Sequence, residues 1–258
     1  MLPILNVALV IFQAYITRIF RFARGVIMFR NLVALGMIGL VSGCFPQKAP
    51  EQLPMIRSVD EARKTQERFH LDLSGTGLSA VPDGLGVLNG MARLSLRGNT
   101  LGVVGESIGE LNALPWMDLG QAGITGISPS LERMEALQTL YLSDNALTEL
   151  PPTIGRLAAL RYLNLDRNRL GSLPDTFGDL KSLRWLRLNN NALETLPPSV
   201  TQLQTLERLY LRQNRLTALP SEIGNLKQLK HLLLTGNPIP PEELERIKTA
   251  LPHCDVEF

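Results

Sequence analysis

The sequence predicts an α/β solenoid: a curved parallel sheet of about eight strands, with short helical or irregular segments on its convex side and capping helices at its ends. Three observations predict it. Counting in steps of 23 from Arg68 gives unit starts at Arg68, Met91, Leu114, Leu137, Leu160, Leu183, Leu206 and Leu229, with no insertion. The fourth and sixth positions of each unit are apolar, from Leu71 and Leu73 to Leu232 and Leu234, with Met117 the one departure from Leu. The ninth is Asn99, Asn145, Asn168, Asn191, Asn214 and Asn237 in six units, and Thr76 and Ala122 in the other two.

Each element follows from these positions. Alternation at four and six makes a short strand with one buried face, and a lone unit cannot hide its Leu residues without a neighbour stacked on it. Eight strands about 4.8 Å apart span roughly 34 Å, an arc and not a closed ring. The ninth-position Asn turns the chain off the strand, and its amide can satisfy backbone groups beside it. Apolar residues at positions eighteen and twenty-one, such as Ile154 and Leu157 or Phe177 and Leu180, close the convex side. Later units carry Leu150-Pro151, Leu173-Pro174, Leu196-Pro197 and Leu219-Pro220, where Pro fixes an extended backbone and has no donor to satisfy. The third unit departs most, with Ala122 for Asn, Gly120, Gly123 and Gly126, and Ile127-Ser128 for Leu-Pro, so a looser coil or a bend is expected there. Residues 68–239 resemble the leucine-rich repeat family, whose pattern is L-x-x-L-x-L-x-x-N-x-L.

Both ends of a solenoid need covers. Ser58-Val59-Asp60-Glu61 reads as a capping box opening a polar helix, so residues 58–67 are expected to form the front cap. Residues 240–258 form the rear cap: a helix from Pro240-Pro241 to Leu251-Pro252, then an edge strand over 253–258. Cys254 is read there as a buried small apolar residue.

The N-terminal part is an address. Its apolar stretches, Leu2 to Ile16 and Leu32 to Gly43, both fall short of the roughly 20 residues a spanning helix needs. Residues 28–43 offer a positive head at Arg30, an apolar middle, and Val41-Ser42-Gly43 beside Cys44. This resembles a bacterial lipoprotein signal, and the resemblance implies a diacylglycerol on the Cys44 sulfur and cleavage before it. Two acyl chains hold a protein firmly where one does not. Phe45 stands where Asp is the usual inner-membrane retention signal, so the resemblance favours the outer membrane of a two-membrane bacterium. Residues 1–27 are an upstream extension: either translation starts at Met28, or Met1 is kept and Leu2 to Phe20 is a membrane segment. Residues 44–57, with Pro46, Pro50 and Pro54, form a stiff tether.

The formal charge is +2, but residues before Cys44 hold Arg18, Arg21, Arg24 and Arg30 and no acid, leaving the remainder at −2. That sign argues against nucleic acid as a partner. Two Cys and 45% apolar residues exclude a disulfide scaffold and disorder. Gly105-Glu106-Ser107-Ile108-Gly109 matches a nucleophile motif, yet its register places it in a convex loop. His70, His231 and His253 fall in units one, eight and the cap, too far apart for one metal ion. No catalytic residue, metal, cofactor or small-molecule substrate is expected, and the chain is not read as an enzyme.

The readable surface is the outward side of the strands, where Trp116, Tyr141, Arg161, Tyr162, Arg184, Trp185, Arg187, Arg208, Tyr210 and Arg212 gather. Arg167 adds to this cluster, offset only by Asp166 and Glu207. Trp, Tyr and Arg dominate interface energetics, and the basic excess suits an acidic protein or an anionic polysaccharide. The expected function is a lipid-anchored envelope protein whose concave face binds another macromolecule, protein first. Two rivals stand: a structural spacer without a ligand, and a cytoplasmic signalling adaptor, because segments such as Leu150 to Leu157 are similar to those of repeat proteins that bind small GTPases.

Overall fold

The computed structural model describes residues 53–258. The apolar N-terminal stretches, Cys44 and most of the tether lie outside the described residues. In chain order the first strands are β1 (Met55–Ile56), β2 (Phe69–Asp72), β3 (Met91–Ser95), β4 (Val103–Val104), β5 (Trp116–Asp118) and β6 (Gly126–Ile127). There follow β7 (Thr139–Tyr141), β8 (Tyr162–Asn164), β9 (Trp185–Arg187), β10 (Arg208–Tyr210), β11 (His231–Leu233) and β12 (Asp255–Glu257). Ten of them make one sheet in the order β1-β2-β3-β5-β7-β8-β9-β10-β11-β12, with every pairing parallel. Register follows the repeat, Leu140 against Leu163 and Leu163 against Leu186.

The fourth- and sixth-position side chains are all buried, and Leu140, Leu142, Leu163, Leu165, Leu186 and Leu188 have no exposed surface. Each such Leu contributes about 1.5–3 kcal/mol, realised only where the next coil covers it. The convex wall is one 3-10 turn in each of the first seven units, for example Pro152–Arg156, Asp175–Asp179 and Pro198–Gln202, pointing Ile154, Phe177 and Val200 inward. Gly155 and Gly178 sit where the next coil passes: a Cβ there would stand 2.3 Å from the carbonyl oxygens of Thr176 and Ser199. Close stacking therefore accounts for the glycine of the Leu-Pro-x-x-Ile-Gly-x-Leu segments.

The ninth-position Asn residues form the expected ladder. Asn168 Nδ2 donates to the carbonyls of Leu142 and Leu165 at 2.9 and 3.0 Å, and its Oδ1 accepts from Leu147 N at 3.1 Å. Asn99, Asn145, Asn191, Asn214 and Asn237 repeat the pattern. One residue earlier the chain enters the left-handed region in every unit: Gly75, Gly98, Gln121, Asp144, Arg167, Asn190, Gln213 and Gly236 all have positive φ. The turn off the strand is thus made at position eight, and the Asn braces it.

Where a looser coil or a bend was expected, the third unit is held by a defined set of replacement contacts. Ala122 is fully buried, and its backbone carbonyl accepts from Leu101 N at 2.8 Å, replacing the missing side-chain oxygen. β4 and β6 pair parallel as a second small sheet, continued by Ser128 N donating to Val104 O at 2.8 Å. Later units have Pro at the position of Ser128 and no N–H to donate.

The caps correct the expectation at the front. Ser58 does cap a helix, accepting from Glu61 N at 3.1 Å, but that helix, α1 (Val59–Ala62), is a single turn and not the span 58–67. Only Ala62 of it is buried, so no apolar stripe extends it. The sheet edge is covered instead by β1, unforeseen in the sequence, with His70 N donating to Pro54 O at 2.9 Å and Ile56 buried. At the rear, α2 (Pro241–Ala250) and β12 appear where expected. Glu243 accepts from Leu219 N at 3.0 Å while Arg246 donates to Leu219 O at 2.8 Å, closing the last Leu-Pro corner. Among the described residues no helix is long and apolar enough to cross a membrane.

Cys254, expected to be buried, is only half-buried against the core, and burial, with the Asp255 carboxylate beside it, pushes its thiol up to about 11. At pH 8 about one thiol in a thousand is then ionised, and the thiolate is the reacting form. Iodoacetamide at pH 8 should modify a folded Cys44→Ala chain far more slowly than the same chain in urea, read by intact mass. Equal rates would mean the rear cap is open.

Candidate functional site

Side chains at the third position of the units stand outward and touch their neighbours across the sheet. Ring centroids step from His70 to Trp116 at 5.8 Å, to Tyr141 at 5.5 Å, to Tyr162 at 4.9 Å and to Trp185 at 5.8 Å. Tyr141, from the fifth position, fills the place that the small Thr139 leaves open. The rings are tilted, 53°, 41° and 60° between successive members from Trp116 onward. Guanidiniums lie on both ends of this row: Arg93 over Trp116 at 4.4 Å and Arg208 over Trp185 at 4.3 Å. Such cation–π contacts contribute about 0.5–1 kcal/mol each and hold the arginines in place.

From Trp116 to Trp185 the row is the floor of a groove of about 540 Å³. Trp116, Tyr141, Tyr162 and Trp185 line it together with Arg68, Arg93, Arg161 and Arg184, and none of its lining residues is acidic. Six of the ten side chains expected from sequence therefore meet here. Arg187, Arg208 and Tyr210 adjoin, lining a hollow of about 100 Å³ that shares Tyr162 and Trp185. Arg212 stands apart and pairs with Glu257 at 2.5 Å. Arg93 and His70 were missed, although both occupy the same third position as Trp116 and could have been found by carrying the count back to the first units.

The basic excess is smaller than the sequence suggests, because carboxylates on the same face engage several arginines. Arg187 donates to Asp166 Oδ2 through Nε at 2.7 Å, and Asp166 is 2% exposed. Burial would lower the Arg187 pKa, but the Asp166 carboxylate outweighs it and holds it above its ordinary value. Arg167 grips Asp144 with two nitrogens, and that hydrogen bonding holds the Asp144 carboxyl below its usual range. Arg184 stands 3.5 Å from Glu207. Of the concave-face arginines named here, Arg93, Arg161 and Arg208 make no ion pair among the described residues. Burial lowers His70 and raises Tyr162 to about 12, so the floor is uncharged at neutral pH and the charge belongs to the guanidiniums.

Gly105 to Gly109 run into the convex 3-10 turn Glu106–Glu110, with Ile108 and Gly109 buried, as the register requires. Among the described residues no group of three or more His, Cys, Asp and Glu is placed to hold a metal ion.

Family models described as leucine-rich repeat region and leucine rich repeat match residues 152–248 and 116–170. No curated protein matches the chain significantly. The leucine-rich repeat domain of the type III effector XopL is similar at 22% identity and TM-score 0.63, over 77% of this chain and 78% of that one. An internalin from Listeria monocytogenes is similar at 21% identity and TM-score 0.61, over 78% and 64%. At these identities both bear on the fold alone. The plant peptide hormone receptor RGFR1, solved in complex with RGF2, is similar at 26% identity and TM-score 0.59 over 80% of this chain. The chain spans about a third of that receptor, 34% of its length.

Proposed function

Because the chain carries a leucine-rich repeat domain, a fold that generally serves as a protein-binding scaffold, we propose that its concave groove binds a protein ligand. We further read the chain as a lipid-anchored envelope protein moored through Cys44. The observation that carries the binding reading is the lining of the groove: four arginines, four aromatic rings and no carboxylate. Large rigid side chains with several donors give much contact area for little lost freedom, which is why they concentrate binding energy. The receptor similar over 80% of this chain was solved holding RGF2, which supports a protein ligand on this fold. Anchoring is supported by the order of basic head, apolar run, Val41-Ser42-Gly43 and Cys44, and outer-membrane sorting by Phe45.

Charge reversal at Arg161 and Arg184 tests the groove without touching the Arg187–Asp166 pair. The double variant Arg161→Glu/Arg184→Glu should melt as the natural chain does and lose most of its cross-linked partner in envelope extracts. Undiminished capture would sink the site. For the anchor, a palmitate analogue should label the natural chain and leave Cys44→Ala unlabelled; an unlabelled natural chain would remove the lipid.

A further inference from the structure

Two arginines of the groove make no ion pair among the described residues, and they stem from strands a defined number of steps apart. Arg93 on β3 lies on Trp116, and its buried Nε has no hydrogen-bond partner among the described residues. Arg161, exposed, immediately precedes β8. Both line the groove, with Trp116 and Tyr141 on the strands between them and Tyr162 directly after Arg161. From β3 to β8 the sheet takes three strand steps, through β5 and β7. At about 4.8 Å per step this is about 14 Å. An extended peptide rises about 3.4 Å per residue, so side chains four residues apart on one edge are also about 14 Å apart, with the side chain between them on the same edge.

We infer that the groove takes an extended acidic peptide lying across the strands, with carboxylates at positions i and i+4 and a large apolar side chain at i+2. The carboxylates meet Arg93 and Arg161, and the apolar side chain seats on the aromatic floor. This rests on the protein-binding reading above. Charge complementarity chooses an acidic occupant, since no carboxylate lines the groove. Ring tilt favours a peptide over a glycan, because rings 41° to 60° apart offer no continuous plane on which successive sugars could stack. The unpaired arginines gain charge-assisted bonds that the free protein does not supply.

Panning a random twelve-residue peptide library on the purified full chain tests the spacing, with a Trp116→Ala chain as the groove control. Enriched peptides should carry two acids four apart around a large apolar residue. A synthetic peptide with Glu-x-Phe-x-Glu should bind roughly tenfold or more tightly than versions with the acids three apart or replaced by Lys. Panning on Arg161→Glu should exchange one selected acid for a basic residue, a result no misfolded variant could give. Groove-dependent peptides without the acid pair would overturn this inference and leave the protein-binding reading intact. No groove-dependent peptide, with or without Trp116-dependent retention of polygalacturonate, would overturn both.

Discussion

Replacing Asn145 by alanine is expected to cost about 3–5 kcal/mol and to split unfolding into two steps. Its Nδ2 donates to the carbonyls of Leu119 and Leu142, both at 2.9 Å, and its Oδ1 accepts from Ala122 N and Ile124 N, both at 3.0 Å. It is the next rung after the gap at Ala122, and it accepts one N–H more than Asn168 or Asn214 does. Ala122 and Ile124 are fully buried, so alanine at 145 would leave two N–H donors and the Leu119 carbonyl in a dry seam, while Leu142 O keeps its bond from Asn168. Each orphaned group costs about 1–3 kcal/mol, less where the seam can relax. Repeat arrays unfold as coupled neighbours, and weakening one interface uncouples the sides. Urea titration followed by circular dichroism should show an early transition for the units before Asn145 and a later one for those after it. Asn99→Ala should stay single and lose less. An Asn145→Ala curve overlying the natural one would mean the seam is hydrated.

The ladder also shows what a sequence can and cannot disclose here. Leucine periodicity and the Asn column are chemical requirements of stacking, so they stand in the residue types and were legible. The left-handed turn at position eight was not, because Gln121, Arg167 and Gln213 have no preference for it. Tertiary hydrogen bonds impose it, as when Arg167 N donates to Asn189 O at 2.8 Å. Front-cap strand β1 is two residues long, too short for any alternation to register. The second small sheet was legible in principle, since Ser128 replaces the Pro of later units, but only once its N–H is seen to find Val104 O.

For the groove, strand parity told that Trp116, Tyr141, Tyr162 and Trp185 point outward, and with Arg161 and Arg184 just before their strands six of the expected ten line one cavity. Which charges cancel was not readable, since Asp144 and Glu257 lie a unit or more from Arg167 and Arg212, and pairing depends on side-chain reach. Counting charges on a face overstates its field when partners sit on adjacent strands.

Arg187 makes that distinction measurable. Replaced by leucine, it should destabilise the domain by about 3–5 kcal/mol, because the Asp166 carboxylate, 2% exposed, would lose its counter-ion. Asp166 receives Arg187 Nη2 at 2.6 Å and Nε at 2.7 Å, and its other oxygen accepts from Asn189 N at 2.8 Å. An Asn at 166 can still accept from Asn189 N while carrying no charge, so Arg187→Leu/Asp166→Asn should recover most of the loss. Thermal melts of the two single variants and the double close the cycle, and a strongly positive coupling is the expected result. Arg187→Leu melting with the natural chain would show that the pair is hydrated and interchangeable with any surface pair. The double variant removes one charge of each sign and leaves Arg93, Arg161 and the groove lining unaltered. Partner capture should therefore be near normal in the double and depressed in Arg187→Leu, assigning Arg187 to the floor's support and not to the contact surface.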